Sequence, residues 1–105
     1  MSGKRQPFVP RPGTTVNINV SSSNQEVKIT NEKGDTDVRV HNAGTATVWI
    51  RFGGTGGTAS TTTDMPIPAG AIEVFGLPAQ GGALYAQAIA AASTGRIYFT
   101  PGEGI

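Results

Sequence analysis

The chain has 105 residues, a formal net charge of +1, one histidine and no cysteine. A chain of this length accommodates one domain with a small core, and the absence of cysteine excludes a disulfide framework, a cysteine-ligated metal site and thiol chemistry. A single histidine cannot form a histidine-based metal cluster by itself. We therefore expect no metal and no other cofactor.

The first thirteen residues are predicted to form an extended basic arm (1–13) that precedes a single domain (14–105). Pro7, Pro10 and Pro12 hold the backbone of the arm in an extended conformation. Three of the eight Lys and Arg residues and none of the seven acids fall in this segment. Basic arms can bind nucleic acid, but three charges make a small phosphate footprint, so nucleic acid is not the expected partner.

Apolar side chains within the arm predict that it docks on a protein surface. Phe8 and Val9 lie between the prolines, and a fully solvated tail has little use for them. Two arrangements remain open at this point: the arm folds back on its own domain, or it anchors on a neighbouring chain.

Alternation of apolar and polar residues predicts a series of short strands after the arm. The predicted strands cover residues 14–20, 25–31, 37–42, 46–52, 71–75, 84–91 and 96–100. The alanines of segment 84–91 favour a helix, but the glycines before and after it favour a strand. Residues 53–64 are rich in Gly and Thr and predict a long surface loop, and residues 65–70 predict an extended approach to the next strand.

Strands of this length, with turn signals about every ten residues, are typical of a sandwich. We predict an all-β fold, either an antiparallel β-sandwich or a small jelly roll of seven to eight strands. No apolar run is long enough to cross a bilayer, and the N-terminus lacks the apolar region of a signal peptide, so no membrane partner is expected. Few charges protect the predicted edge strands, which favours pairing with another chain.

The sequence lacks the residue combinations of common active sites. His41 is the only candidate base, and no nucleophile motif accompanies it. Glu32, Asp35 and Asp37 cluster around a turn, where solvation and turn capping are the ordinary roles of carboxylates; a weak calcium site is the alternative. We expect no enzyme activity. A small jelly-roll hydrolase with a carboxylate pair is the enzymatic alternative.

Three aromatic residues alternate with core-type residues and are predicted to face away from the core. They are Trp49, Phe75 and Tyr98. For Phe75 this assignment places Ile72 and Val74 in the core. The aromatics indicate a subunit or partner interface, where Trp and Tyr concentrate binding energy; the alternative is that they cover the rims of a small sandwich.

Several segments resemble small structural proteins of tailed bacteriophages: residues 38–53, 64–75 and 95–104, together with the proline-rich start. Members of this class are often head decoration (cement) proteins, which bind the capsid exterior as trimers or dimers. The resemblance therefore implies the major capsid protein as partner, and a homo-oligomer, with the trimer favoured. It implies a location on the virion exterior after synthesis in the host cytoplasm, and it supplies no catalytic motif.

The resemblance also gives the candidate contact residues a role at a capsid or subunit interface. The arm supplies the first group, Lys4, Arg5, Phe8, Val9 and Arg11, and the predicted strands supply the second, Trp49, Phe75 and Tyr98. This hypothesis predicts that deletion of residues 1–12 leaves the domain folded and abolishes capsid attachment. The alternative function is another virion component, such as a tail or fibre-associated module that binds a host surface or a carbohydrate.

Overall fold

A computed structural model describes residues 8–29, 35–77, 83–92 and 95–103. In these residues the chain forms nine strands and no helix. The strands are β1 (Val9–Pro10), β2 (Val16–Val20), β3 (Gln25–Ile29), β4 (Asp37–Asn42), β5 (Val48–Gly53), β6 (Met65–Ile67), β7 (Ile72–Gly76), β8 (Leu84–Ile89) and β9 (Gly95–Glu103). Residues 30 and 31, which the sequence assigns to the second strand, lie outside the described residues.

The strands form two antiparallel sheets. In sheet A, β1 and β2 pair with successive parts of one edge of β9, and β4 and β7 follow on its other side. In sheet B the order is β3, β8, β5 and β6. The central strands are therefore β9 and β4 in sheet A, and β8 and β5 in sheet B.

The pairing pattern identifies the fold as a jelly roll. β5 pairs with β6, β4 with β7, β3 with β8 and β2 with β9, as in one long hairpin. Successive pairs of this hairpin alternate between sheet B and sheet A, so the ribbon is rolled into a sandwich. The predicted all-β sandwich or jelly roll is confirmed, with short β1 and β6 added to the seven strands that the alternation predicts.

The core lies between the sheets and consists of the inward positions of the alternating strands. Its members are Ile18, Val20, Ile29, Val38, Val40, Val48, Ile50, Ile67, Leu84, Ala86, Ala88, Ala90, Ile97 and Phe99. Phe99 meets the half-buried Phe52 edge to face, with ring centroids 5.9 Å apart. Full burial of an aliphatic or aromatic side chain of this size contributes about 1.5–3 kcal/mol, so these positions dominate the stability.

The ambiguous segment 84–91 forms a central strand of sheet B. β8 pairs with β3 on one side and with β5 on the other, which satisfies its backbone donors and acceptors on both edges. Three of the four alanines of the segment, Ala86, Ala88 and Ala90, are buried between the sheets. Tertiary pairing therefore overrides the helix propensity of alanine, and the small side chains bring the two sheets together.

Candidate interaction surface

The outer face of sheet A carries two rows of side chains that point away from the core. The first row runs across the sheet through Thr15, Thr100, Arg39 and Val74, and the second through Asn17, Tyr98, His41 and Ile72. We call these eight residues the Tyr98 face. Period-two alternation places each of them opposite a core position of its own strand.

Two stacked rings form the centre of the Tyr98 face. The ring centroids of Tyr98 and His41 are 6.2 Å apart, with an angle of 29° between the ring planes. The rings line a shallow pocket of about 300 Å³ together with Thr15, Arg39 and Thr100. None of these five residues is acidic.

The polar side chains around the pocket retain hydrogen-bond donors that the rest of the described chain does not use. The hydroxyls of Thr15 and Thr100 share one hydrogen bond of 2.8 Å. Neither Arg39 nor Arg96, which also points to the outer face of sheet A, forms a side-chain hydrogen bond or ion pair in the part of the chain that the structure describes. Guanidinium groups beside aromatic rings suit a partner that presents carboxylates or other anionic acceptors.

One edge of the Tyr98 face is apolar, and here the sequence assignment was wrong. Ile72 and Val74 of β7 are 50% and 45% exposed, whereas Phe75 packs against the core. The register explains this reversal, because Phe75 lies opposite the buried Val38 and Val74 lies opposite the outward Arg39. Phe75 is therefore a core-side residue, and the exposed apolar residues of β7 are the two that were assigned to the core.

The other two strand aromatics face outward as predicted. Tyr98 lies on the outer face of sheet A, and Trp49 lies on the outer face of sheet B between Ile89 of β8 and Pro66 of β6. Both side chains are half-buried. Their role at an interface stays a prediction.

The outer face of sheet B is partly covered by the loop that follows β5. Gln87 of β8 is fully buried beneath this loop and donates to the Gly54 carbonyl (3.1 Å) and the Glu26 carboxylate (2.8 Å). Asn24 also holds the loop, since it accepts from the Ala59 N–H at 2.8 Å and donates to the Gly57 carbonyl at 3.3 Å. The predicted surface loop is thus folded back onto sheet B, which leaves the outer face of sheet A as the more accessible one.

Glu26 is the charged anchor of this loop, and its interactions make the anchoring dependent on pH. Its carboxylate accepts hydrogen bonds from the Gln87 amide, the Gly56 N–H and the Thr55 hydroxyl. These bonds favour the ionised form, the one from Gln87 most, and hold the pKa of Glu26 below its usual range.

We expect the loop to detach in acid. A group with a lowered pKa contributes stability that is complete above its ordinary pKa of about 4.3 and is lost as the pH falls through the lowered value. Amide hydrogen exchange at Gly56, followed by NMR across this pH range, should increase in the wild-type protein. In Glu26→Gln the same amide should exchange at a rate that shows no such transition once intrinsic exchange is subtracted; an identical transition in both proteins would contradict the assignment.

Part of the predicted arm belongs to the sandwich. Val9 and Pro10 pair with Glu103 and Gly102 of β9, so β1 continues the edge that β2 begins. Arg11 forms a bidentate ion pair with the buried carboxylate of Asp35, with an Nη2–Oδ1 distance of 2.6 Å. Residues 8–12 therefore fold back on their own domain, and deleting them removes part of sheet A.

The remaining arm candidates divide between the described and undescribed residues. Phe8 is half-buried against Gly102, and Val9 is 48% exposed. Lys4 and Arg5 lie outside the described residues. Of the five arm candidates, Val9 thus offers the most exposed apolar side chain that the structure describes.

The described residues contain no group of three or more His, Cys, Asp or Glu side chains arranged to hold a metal ion. Of the acidic turn, Glu32 lies outside the described residues and Asp35 is paired with Arg11. His41 stacks on Tyr98. What this arrangement offers is a binding surface of aromatic rings, cations and exposed aliphatic side chains.

The described residues include no helix that could cross a membrane. No protein-family model matches the chain, and no curated protein or solved structure shows significant similarity to it.

Proposed function

We propose that this chain is a structural protein of a tailed bacteriophage that decorates the head exterior and binds the major capsid protein through the Tyr98 face. The protein acts by binding alone. Attachment across the boundary between capsid subunits opposes their separation when packaged DNA exerts pressure from inside.

The Tyr98 face is the observation that carries this proposal. It combines a half-buried tyrosine, one arginine without a described partner (Arg39) and two exposed aliphatic residues on one face of a sheet, and Arg96 lies beside Tyr98 on the same face. Tyrosine and arginine are enriched among the residues that dominate binding energy at protein interfaces. The second sheet offers less, because the loop anchored by Gln87 and Glu26 covers part of its outer face.

The fold and the sequence resemblance support the same class of function. Jelly rolls are common in viral shell proteins, although they also occur in lectins and cupins. The resemblance to phage structural proteins covers segments 38–53, 64–75 and 95–104, which contain β5, β6 and β9 and most of β4 and β7. The donors of the Tyr98 face predict that the capsid presents acidic side chains to it. Many weak sites on one shell add through multivalency.

The Tyr98 face can be tested by sedimentation with purified heads of the phage that encodes the chain. We expect Tyr98→Ala to weaken head binding by roughly 30-fold, because loss of a central interface tyrosine costs about 2 kcal/mol. Tyr85→Ala is the matched control, since Tyr85 is also a half-buried strand tyrosine but points outward from sheet B, opposite Lys28. It should bind heads within about twofold of wild type.

Equal weakening by both substitutions, with both variants folded by circular dichroism, would contradict the assignment of the Tyr98 face. Wild-type protein that fails to sediment with heads at any concentration would contradict head decoration itself. Arg39→Ala should weaken binding less than Tyr98→Ala and should remove part of its salt dependence, because it deletes a charge without deleting the ring platform.

A carbohydrate-binding role in another virion component is the second candidate. The pocket of about 300 Å³ favours it, since two rings flanked by hydroxyls suit a sugar ring. Binding of acidic and neutral oligosaccharides, followed through the NMR signals of the Tyr98 and His41 rings, separates the two functions. Decoration predicts that heads broaden these ring signals beyond detection and that sugars leave them unshifted.

A further inference from the structure

The edge strand β7 lacks most of the features that keep sheet edges from pairing. The β1–β2 edge carries Pro10 and is interrupted before Val16, and β6 is three residues long with Pro66 at its centre. β3 carries Lys28. Prolines, lysines, short strands and interruptions are the usual devices that protect an edge. β7 has five residues without proline or lysine, and in the described chain it hydrogen-bonds only to β4.

Two apolar side chains of β7 are exposed to solvent, and a second strand paired with β7 would cover part of them. Ile72 and Val74 point to the outer face and are 50% and 45% exposed. Both are β-branched residues, which pack well against a neighbouring strand. An added strand would cover part of their surface and pair the free backbone groups of the edge.

We infer that β7 pairs antiparallel with β7 of a second copy of this chain across a two-fold axis that passes through Val74. A two-fold contact uses the same surface on both copies, so a single edge strand suffices to form it. In this register Val74 lies opposite the partner's Val74, and Ile72 lies opposite the partner's Gly76, where no side chain competes for space. The inference does not depend on head binding.

The charge of Glu73 disfavours one of the two neighbouring registers, and strand length disfavours the other. In an antiparallel pair, residues directly opposite each other point to the same face of the sheet. The two-fold symmetric registers open to β7 therefore differ by a shift of two residues in the pairing. One step from the proposed register places Glu73 directly opposite the partner's Glu73, and like charges in that position are destabilising. The proposed register places Glu73 opposite the partner's Phe75 instead and uses all five residues of β7.

The surroundings of Phe75 supply a complementary charge. Phe75 and Arg51 line an open groove of about 540 Å³ between β7 and the edge of sheet B. Asp64 also lines the groove, but its carboxylate accepts the Ser60 N–H at 2.7 Å. Arg51 donates one Nη1–H to the Thr58 carbonyl, and its other donors have no partner in the described chain.

Glu73 would therefore enter the mouth of the partner's groove, close to the partner's Arg51. This explains an exposed acid at a core-side position of β7, opposite the buried Val40. The two-fold axis is perpendicular to the sheet, so both copies of the Tyr98 face lie on the same side of one continuous sheet. A dimer would thus present two binding surfaces to a shell.

The inference is tested by the solution mass of the full chain, measured by sedimentation equilibrium over a wide concentration range. Wild-type protein should reach twice the 10.8 kDa chain mass, and Val74→Asp should remain monomeric, because it places two carboxylates opposite each other on the axis. Asn19→Asp is the control for an added carboxylate, since Asn19 is exposed on β2 at the opposite edge of sheet A; it should dimerise like wild type.

A charge exchange tests the register. Glu73→Arg and Arg51→Glu should each weaken dimerisation by about tenfold, because symmetry doubles the effect of a modest ion pair, and the double variant should recover most of it. A monomeric or trimeric wild type, or a Val74→Asp variant that still dimerises, would overturn the inference. Stronger dimerisation of Glu73→Ala would overturn the ion pair and assign Glu73 the role of protecting the edge. Head binding is measured separately, so its failure leaves these outcomes interpretable.

Discussion

Gly102→Ala is expected to lower the free energy of unfolding by about 2–3 kcal/mol and to release β1 from sheet A. A Cβ at Gly102 would collide with the carbonyl oxygen of Val9 and would lie 2.9 Å from the Phe8 ring and 3.0 Å from the Cα of Pro10. The Val9 contact is backbone, so a side-chain rotation does not relieve it. Chemical denaturation measures the loss, and limited proteolysis between residues 8 and 13 reports the release.

Gly76→Ala is the matched control for this prediction. Gly76 and Gly102 flank Asp37 in the same row of sheet A, but no atom lies within 4 Å of the position of a Gly76 Cβ. Its substitution should change the free energy of unfolding by less than about 0.5 kcal/mol. If the two variants are equally stable, β1 does not lie against Gly102 in solution.

Asn42→Asp is expected to destabilise the domain by about 3–5 kcal/mol at neutral pH. The fully buried Asn42 amide donates to the carbonyls of Ala46 and Ile67, both at 2.9 Å, while its oxygen accepts the Gly44 N–H at 3.0 Å. An aspartate of the same shape keeps the oxygen that accepts from Gly44, but its second oxygen faces two carbonyls and no donor, which leaves a buried charge poorly compensated.

The same substitution at an exposed position isolates the effect of burial. Asn17 lies on the outer face of sheet A and is exposed, so Asn17→Asp should alter stability by less than about 0.5 kcal/mol. The deficit of Asn42→Asp should shrink in acid, because a protonated carboxyl can donate one hydrogen bond. Thermal denaturation at several pH values measures both effects, and a deficit independent of pH would contradict the electrostatic explanation.

The alternation of apolar and polar side chains predicted most of the sandwich, because it can be recognised in each strand without knowledge of the other strands. The positions of Val48 and Ile50 predict the inward face of β5 without information from any neighbouring strand, and Trp49 between them is outward. Phe75 shows where this reasoning fails. β7 is an edge strand with apolar residues on both faces, so only its register with β4 decides which face is buried.

The Tyr98 face could not be assembled from the sequence for a related reason. Tyr98 lies in β9, His41 in β4, and Thr15 directly before β2. These segments are distant in the chain, and alternation predicts which side of a strand a residue faces but not which residues lie beside it. The outward orientation of Arg39 and His41 could have been predicted, since both alternate with inward residues between Val38 and Asn42. Recognising their partners required the strand order of the rolled hairpin.

The positions of the arm and of the loop after β5 also could not be predicted from the sequence. Gln87 has no mark in the sequence that distinguishes it from an exposed strand glutamine, because its burial depends on a loop that crosses the sheet. Likewise, the pairing of Arg11 with Asp35 spans 24 positions and decides that residues 8–12 fold back on their own domain. Such contacts are set by tertiary geometry rather than by local pattern.

The rolled hairpin has a consequence for how the molecule is made. β9 lies between β2 and β4, and its contacts reach far along the chain, as in the Thr15–Thr100 hydrogen bond across 85 positions. During translation, the segments that form β2 and β4 emerge long before their shared neighbour exists. Sheet A cannot close until the ribosome has released residues 95–103, and folding dominated by such distant contacts is slow. During this interval, incomplete chains expose apolar side chains and unpaired strand edges. The yield of native protein should therefore depend on nascent-chain chaperones and on growth temperature.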